Sequence, residues 1–82
     1  MSEQLRYSQR VRMYKEGYVS VCVYKSVTHS GRVFHDTVIY RKVRNGNGKN
    51  EFQRGTNLKP EDLPILWRLL QEAHAFLETQ IQ

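Results

Sequence analysis

The segment from Phe52 to Leu63, reading Phe-Gln-Arg-Gly-Thr-Asn-Leu-Lys-Pro-Glu-Asp-Leu, is where this chain changes its structural habit. A short polar strand carrying Arg54 ends at Gly55, whose missing Cβ leaves the backbone free to turn. Pro60 suits the first helical position, because the N–H it lacks would have no partner there. Glu61 and Asp62 follow, near the positive end of the helix dipole. Everything before this punctuation reads as basic β-sheet, and everything after it as one amphipathic helix. A chain so divided can fold as a sheet facing something anionic, with a helix supporting it.

With 82 residues there is room for one domain and a small core. Chains of this size bury only about 60% of their unfolded surface and commonly need a staple. The single cysteine, Cys22, excludes an intramolecular disulfide and fits an intracellular, reducing compartment: cytoplasm, nucleoid or nucleus. No apolar run approaches the roughly 20 residues of a membrane span, and no signal peptide is visible, so no membrane association is expected. A second copy of the chain is the staple that remains.

The net charge of +5 is unevenly placed. Residues 1–58 hold eleven Lys/Arg against four Asp/Glu, or +7; residues 59–82 hold two against four, or −2. A basic sheet segment before a mildly acidic helix points to a polyanion at the sheet. Excess lysine and arginine kept for solubility is the competing explanation.

Residues 1–7 read as a disordered tail and residues 8–82 as one sheet-plus-helix domain. Residues 8–16 alternate weakly, with Val11 and Met13 on one side and Arg10, Arg12 and Tyr14 on the other. They fit an edge strand or a basic arm, ended by Gly17. Residues 18–25 are the clearest strand: Val19, Val21 and Val23 form a core face, and Tyr18, Ser20, Cys22 and Tyr24 the other. Thr28-His29-Ser30-Gly31 reads as a turn. In residues 32–44, Val33, Thr37, Ile39 and Val43 share one parity and Phe34, Val38, Tyr40, Lys42 and Arg44 the other. Both faces carry apolar groups, so either could face the core. Asn45-Gly46-Asn47-Gly48 is a hairpin-turn signal, and residues 50–55 return as a strand. The expected fold class is α+β: an antiparallel sheet of four strands, or five with an N-terminal edge strand, and one C-terminal helix.

That helix runs from Pro60 to about Thr79, with Pro64 placed awkwardly in its second turn. Leu63, Leu66, Trp67, Leu70, His74, Leu77 and Ile81 form one stripe. Ile65, Leu69, Ala73 and Phe76 widen the apolar arc to roughly 200°, against a usual face of a little over 100°. One small sheet cannot cover so much helix. Ile65, Leu69, Ala73 and Phe76 are therefore expected to form a homodimer interface.

Catalytic and metal chemistry find little support. Cys22, His29 and His35 match no zinc spacing, and a fourth ligand would have to be His74 on the helix. The Asn-Gly-Asn-Gly stretch lacks the Gly-Lys-Ser/Thr ending of a phosphate loop. No acid/base pair or Ser/His/Asp set is evident, so no enzyme, metal or cofactor is expected. The informative pattern is interleaving: Lys15, Tyr18, Tyr24, Lys25, Arg32, Tyr40, Lys42 and Arg54 alternate aromatic and cationic groups across the sheet, with Arg44 and Lys49 adding charge. Single strands are bound this way, cations following phosphates while rings stack on unpaired bases. Duplex readers more often insert a helix into the major groove, and this helix is too apolar for that. Strand propensity alone also favours tyrosine.

In three segments the chain resembles the positive cofactor four family of transcriptional coactivators, which share a Whirly-like single-stranded-DNA-binding fold. They are Tyr18-Val19-Ser20-Val21 with Tyr24-Lys25; Gly31-Arg32-Val33 leading through Asp36 to Tyr40; and Arg54-Gly55-Thr56-Asn57-Leu58-Lys59-Pro60-Glu61, the most specific. The resemblance implies a four-stranded antiparallel sheet, a helix-mediated dimer and single-stranded DNA on each sheet. It places the contacting aromatic on Tyr24, beside Lys25, and the cations on Arg32 and Arg54. A family tryptophan falls on Arg41, two basic positions fall on Cys22 and Val38, and the polar helix cap falls on Lys59. The expected function is binding of single-stranded DNA or RNA with little sequence preference. The rival is an interaction module that docks a transcription or replication protein through its helix.

Overall fold

A computed structural model describes residues 5–44, 48, 50–54 and 57–80. Four strands, β1 (Leu5–Glu16), β2 (Val19–Thr28), β3 (Val33–Arg44) and β4 (Asn50–Arg54), pair antiparallel in chain order. One 3₁₀ turn (Pro60–Asp62) leads into the helix α1 (Leu63–Gln80). This is the expected α+β order. The N-terminal segment is a strand and not an arm, and it is one of the four; the described residues contain no fifth. It starts at Leu5, so residues 5–7 belong to the sheet and not to a tail. Residues 1–4, Asn45 to Asn47 of the expected hairpin turn, and Gly55 and Thr56 lie outside the described residues.

Gly17 and Tyr18 join β1 to β2 between the paired residues Glu16 and Val19. Gly17 has φ +60°, the left-handed value that the first residue of a tight II′ hairpin turn requires. The next turn is organised by Thr28. Its carbonyl accepts from Gly31 N at 3.0 Å, and its hydroxyl accepts from Arg32 N at 3.1 Å.

The β1–β2 register shifts between Arg10 and Arg12, where Val11 is an extra residue opposite the pair Tyr24–Val23. This bulge reverses the strand's parity. Val11 and Tyr14, three residues apart, both pack against the core, while Arg10, Met13 and Lys15 align with the opposite side of β2. The simple alternation expected for residues 8–16 is therefore corrected: Val11 and Met13 part company, and Arg10 separates from Arg12 and Tyr14.

Pairing also settles β3. Val21 lies opposite Ile39 and Val23 opposite Thr37, so Ile39 joins the core side, and Phe34, Val38 and Tyr40 take the other. Val19, Val21 and Val23 are fully buried against Leu66, Leu69 and Ala73 of α1, which lies over β1 and β2. Each of these valines and leucines contributes about 1.5–3 kcal/mol on burial.

This packing corrects the expected dimer stripe. Leu69 and Ala73 are 3% and 2% exposed within one chain, so they are core and cannot meet a second copy. Ile65 and Phe76 are half-buried on the flank facing β1. Arg12 sits over the Phe76 ring at 4.6 Å, and Arg68 pairs with Glu16 nearby. The apolar surface left over is instead Leu63, 54% exposed, and Trp67, 68% exposed.

The helix start is tied to the sheet by Asp62. Its buried carboxylate accepts from Arg41 Nε at 2.6 Å and from the Lys59 backbone N–H at 2.8 Å. Lys59 cannot cap the turn with its own side chain, so Asp62 reaches back and takes that role. The Arg41 guanidinium, with the Lys59 N–H, holds the Asp62 carboxyl below the usual carboxylate range. Pro64 is accommodated because the helix proper begins at Leu63, placing its missing N–H among donors that have no intrahelical partner.

Candidate nucleic-acid interface

The side of the sheet away from α1 is built in cross-strand rows. Lys15, Ser20, Tyr40 and Arg54 align one per strand, with cations at both ends. The next row is Met13, Cys22 and Val38, then Arg10, Tyr24 and Asp36, then Ser8, Ser26 and Phe34. Rows are about 7 Å apart and neighbouring strands about 4.8 Å. Lys42 shares the parity of Tyr40 and extends this side beyond the first row.

Tyr24 and Tyr40 lean toward each other across the Cys22–Val38 row, with hydroxyls 3.2 Å apart. That is long for an O–H···O hydrogen bond, so a ligand can part the two phenols at little cost. The bond to Tyr40, and after it burial, pushes the Tyr24 phenol above its ordinary value. The Tyr24 phenol therefore stays protonated at neutral pH and can donate. The pair forms a ridge between two hollows. One, of about 610 Å³, is lined by Ser26, Phe34, Asp36, Val38 and Arg54 among others. The other, of about 330 Å³, is lined by Arg10, Met13, Lys15, Ser20 and Cys22. Ser20, Cys22 and Ser26 are only 1–3% exposed although no second layer among the described residues covers them. They are a floor of small residues between taller walls.

Of the residues expected to bind, Lys15, Tyr24, Tyr40, Lys42 and Arg54 share this surface. Lys25 does not. It lies between Gln9 and His35 with the parity of Val23 and Val27, on the helix side, because adjacent strand residues point to opposite faces. Tyr18 is set apart in the hairpin turn. Its ring lies 5.4 Å from the Arg41 guanidinium, and its carbonyl accepts from Lys42 N at 2.7 Å. Arg32 sits before β3, at the end of the sheet opposite the Lys15–Arg54 row. Arg10 and Asp36 belong to the surface and were not expected there. Arg10 was hidden by the bulge, which no periodicity reveals. Asp36 could have been found from its parity with Tyr40.

His29 lies in the β2–β3 turn, His35 on the helix side of β3, Cys22 on the open side and His74 on α1. Among the described residues, no three His, Cys, Asp or Glu side chains come together to hold a metal. No helix among them is long and apolar enough to cross a membrane. In comparisons with known proteins, no family model, curated protein or solved structure matches this chain.

Proposed function

We propose that the open side of the sheet binds single-stranded DNA or RNA, with Arg10, Lys15, Lys42 and Arg54 toward phosphates and Tyr24 and Tyr40 toward bases. The observation that carries this reading is the Lys15–Ser20–Tyr40–Arg54 row, cations outside and an aromatic inside, next to the Tyr24–Tyr40 ridge. Cations tracking a backbone beside stacking rings suit unpaired bases, whose faces are free; a duplex hides them. The resemblance to the positive cofactor four family extends the reading to a coactivator-like role in transcription, inside the cell with Cys22 reduced. No catalytic step is part of it.

Titration of labelled oligothymidine and its duplex counterpart at two salt concentrations tests it. The single strand should bind more tightly, and log affinity should fall with log salt at about −0.7 per phosphate engaged, or about −3 for the four cations. Equal affinity for the duplex, or binding indifferent to salt, would overturn the reading.

The exposed pair Leu63 and Trp67 supports a second element of the proposal, a homodimer joined through this side of α1. Wild-type protein should sediment as a dimer at micromolar concentration, and Trp67→Glu as a folded monomer. A wild-type monomer at high concentration would favour the rival use of the strip, docking a transcription or replication protein.

A further inference from the structure

Asp36 is the only acidic residue among the described positions on the open side of the sheet. Glu16 and Glu51 have the opposite parity, and Glu16 pairs with Arg68. It lines the larger hollow with Phe34, Tyr40 and Arg54, and lies directly opposite Tyr24. Arg10, the cation of the same row, is two strands away, and its guanidinium turns along its own strand to the Met13 sulfur, 3.7 Å off. A carboxylate here repels phosphate, so the backbone of a bound strand is kept to the flanking cations and the hollow is left for a base. At about 610 Å³ the hollow falls within the roughly 300–1,000 Å³ usual for small-molecule sites.

We propose that Asp36 makes this hollow a guanine-preferring notch in an otherwise sequence-tolerant surface. The proposal rests on the single-strand reading above and sharpens it. A carboxylate offers two acceptor oxygens and no donor. Unpaired bases present their Watson–Crick edges to side chains. Guanine alone presents two adjacent donors there, N1–H and the N2 amine, which match the two oxygens. Cytosine and adenine each offer one amine beside an acceptor. Thymine and uracil offer one N–H between two carbonyls that the carboxylate repels. Phe34 and Tyr40, on the same side of β3, supply the aromatic surface against which the base rests.

The test uses labelled oligodeoxythymidine of about 12 nucleotides, the same strand with one central guanine, and the same strand with inosine there, which lacks the N2 amine. Wild-type protein should bind the guanine strand at least about five-fold more tightly than oligothymidine, with inosine between them. Asp36→Asn keeps the side-chain volume and should erase that preference. It should also tighten oligothymidine binding about two-fold, since one charge near the phosphates is gone. Equal wild-type affinity for all three strands would overturn the notch and leave the sheet-binding reading standing. Failure to bind any of them would remove both. If Asp36→Asn weakens all three alike, with its circular dichroism melt lowered, Asp36 is a structural residue and the proposal falls.

Discussion

The two sides of this sheet use the same strands and opposite building rules. On the helix side, β2 contributes Val19, Val21 and Val23, all fully buried beneath Leu66, Leu69 and Ala73. On the open side the intervening residues Ser20, Cys22 and Ser26 are almost as inaccessible, yet no second layer of described residues lies over them. The first side is dry because large groups fill it. The second is closed only by tall neighbours on either flank, so its small residues floor two hollows. Burial alone therefore does not separate core from binding surface here. What separates them is whether the covering group belongs to the fold or can be displaced by a ligand.

The largest test of that contrast is Leu69→Glu. It buries an unpaired carboxylate among valines and should destabilise by more than about 4 kcal/mol, leaving an unfolded chain by circular dichroism. A folded Leu69→Glu protein would mean that the helix side is not the core.

Asp62→Asn comes next, because it removes the charged partner of Arg41 at the junction of sheet and helix. Asp62 has a lowered folded pKa, so its contribution is fully present above the unfolded value of about 3.9 and fades as pH falls through the folded one. Chemical denaturation should show wild-type protein more stable than Asp62→Asn at pH 7, with the gap closing below about pH 4. A gap that does not change with pH would show that the ion pair is not what ties the helix down.

On the open side, Tyr24→Ala should leave the fold intact, at a stability loss of about 1 kcal/mol for the hydrogen bond to Tyr40. Single-strand affinity should drop about 5- to 150-fold, the range for losing one base stack. A large fall in melting temperature with unchanged affinity would make Tyr24 a core residue.

The smallest effect sharpens the comparison most. Lys15→Ala and Arg54→Ala should each reduce the magnitude of the log–log salt slope by about 0.7, whereas Lys25→Ala, on the helix side, should leave it unchanged. If Lys25→Ala lowers the slope as much as Lys15→Ala, nucleic acid is not confined to one side.

The valine alternation at residues 19–23 and the Pro-Glu-Asp helix start were legible in the sequence because each is a local rule: period two, and a proline where its donor is not needed. The side taken by Lys25 was legible too. Strand parity puts it on the side opposite Tyr24, and both the aromatic–cation interleaving and the family motif set that parity aside. The facing of β3 was not legible, since Phe34 and Val38 are as apolar as Val33 and Ile39, and only pairing with β2 distinguishes them. The helix stripes failed for a related reason. An arc of roughly 200° does not say which part meets the sheet, and the contact with β1 and β2 chose Leu66, Leu69 and Ala73. Arg41 escaped notice because its partner, Asp62, is 21 residues away.

Val11 gives β1 two reading frames. From Ser8 to Arg10, even positions take part in the surface; from Met13 to Lys15, odd positions do. A mutational scan of this strand read in a single frame would look like noise, with tolerant and sensitive sites exchanging places midway. Deleting Val11 would merge the frames. Arg10 already pairs with Tyr24 and Arg12 with Val23, so every other side chain would keep its side, and the loss would be confined to the bulge's twist and Val11's own packing against the core.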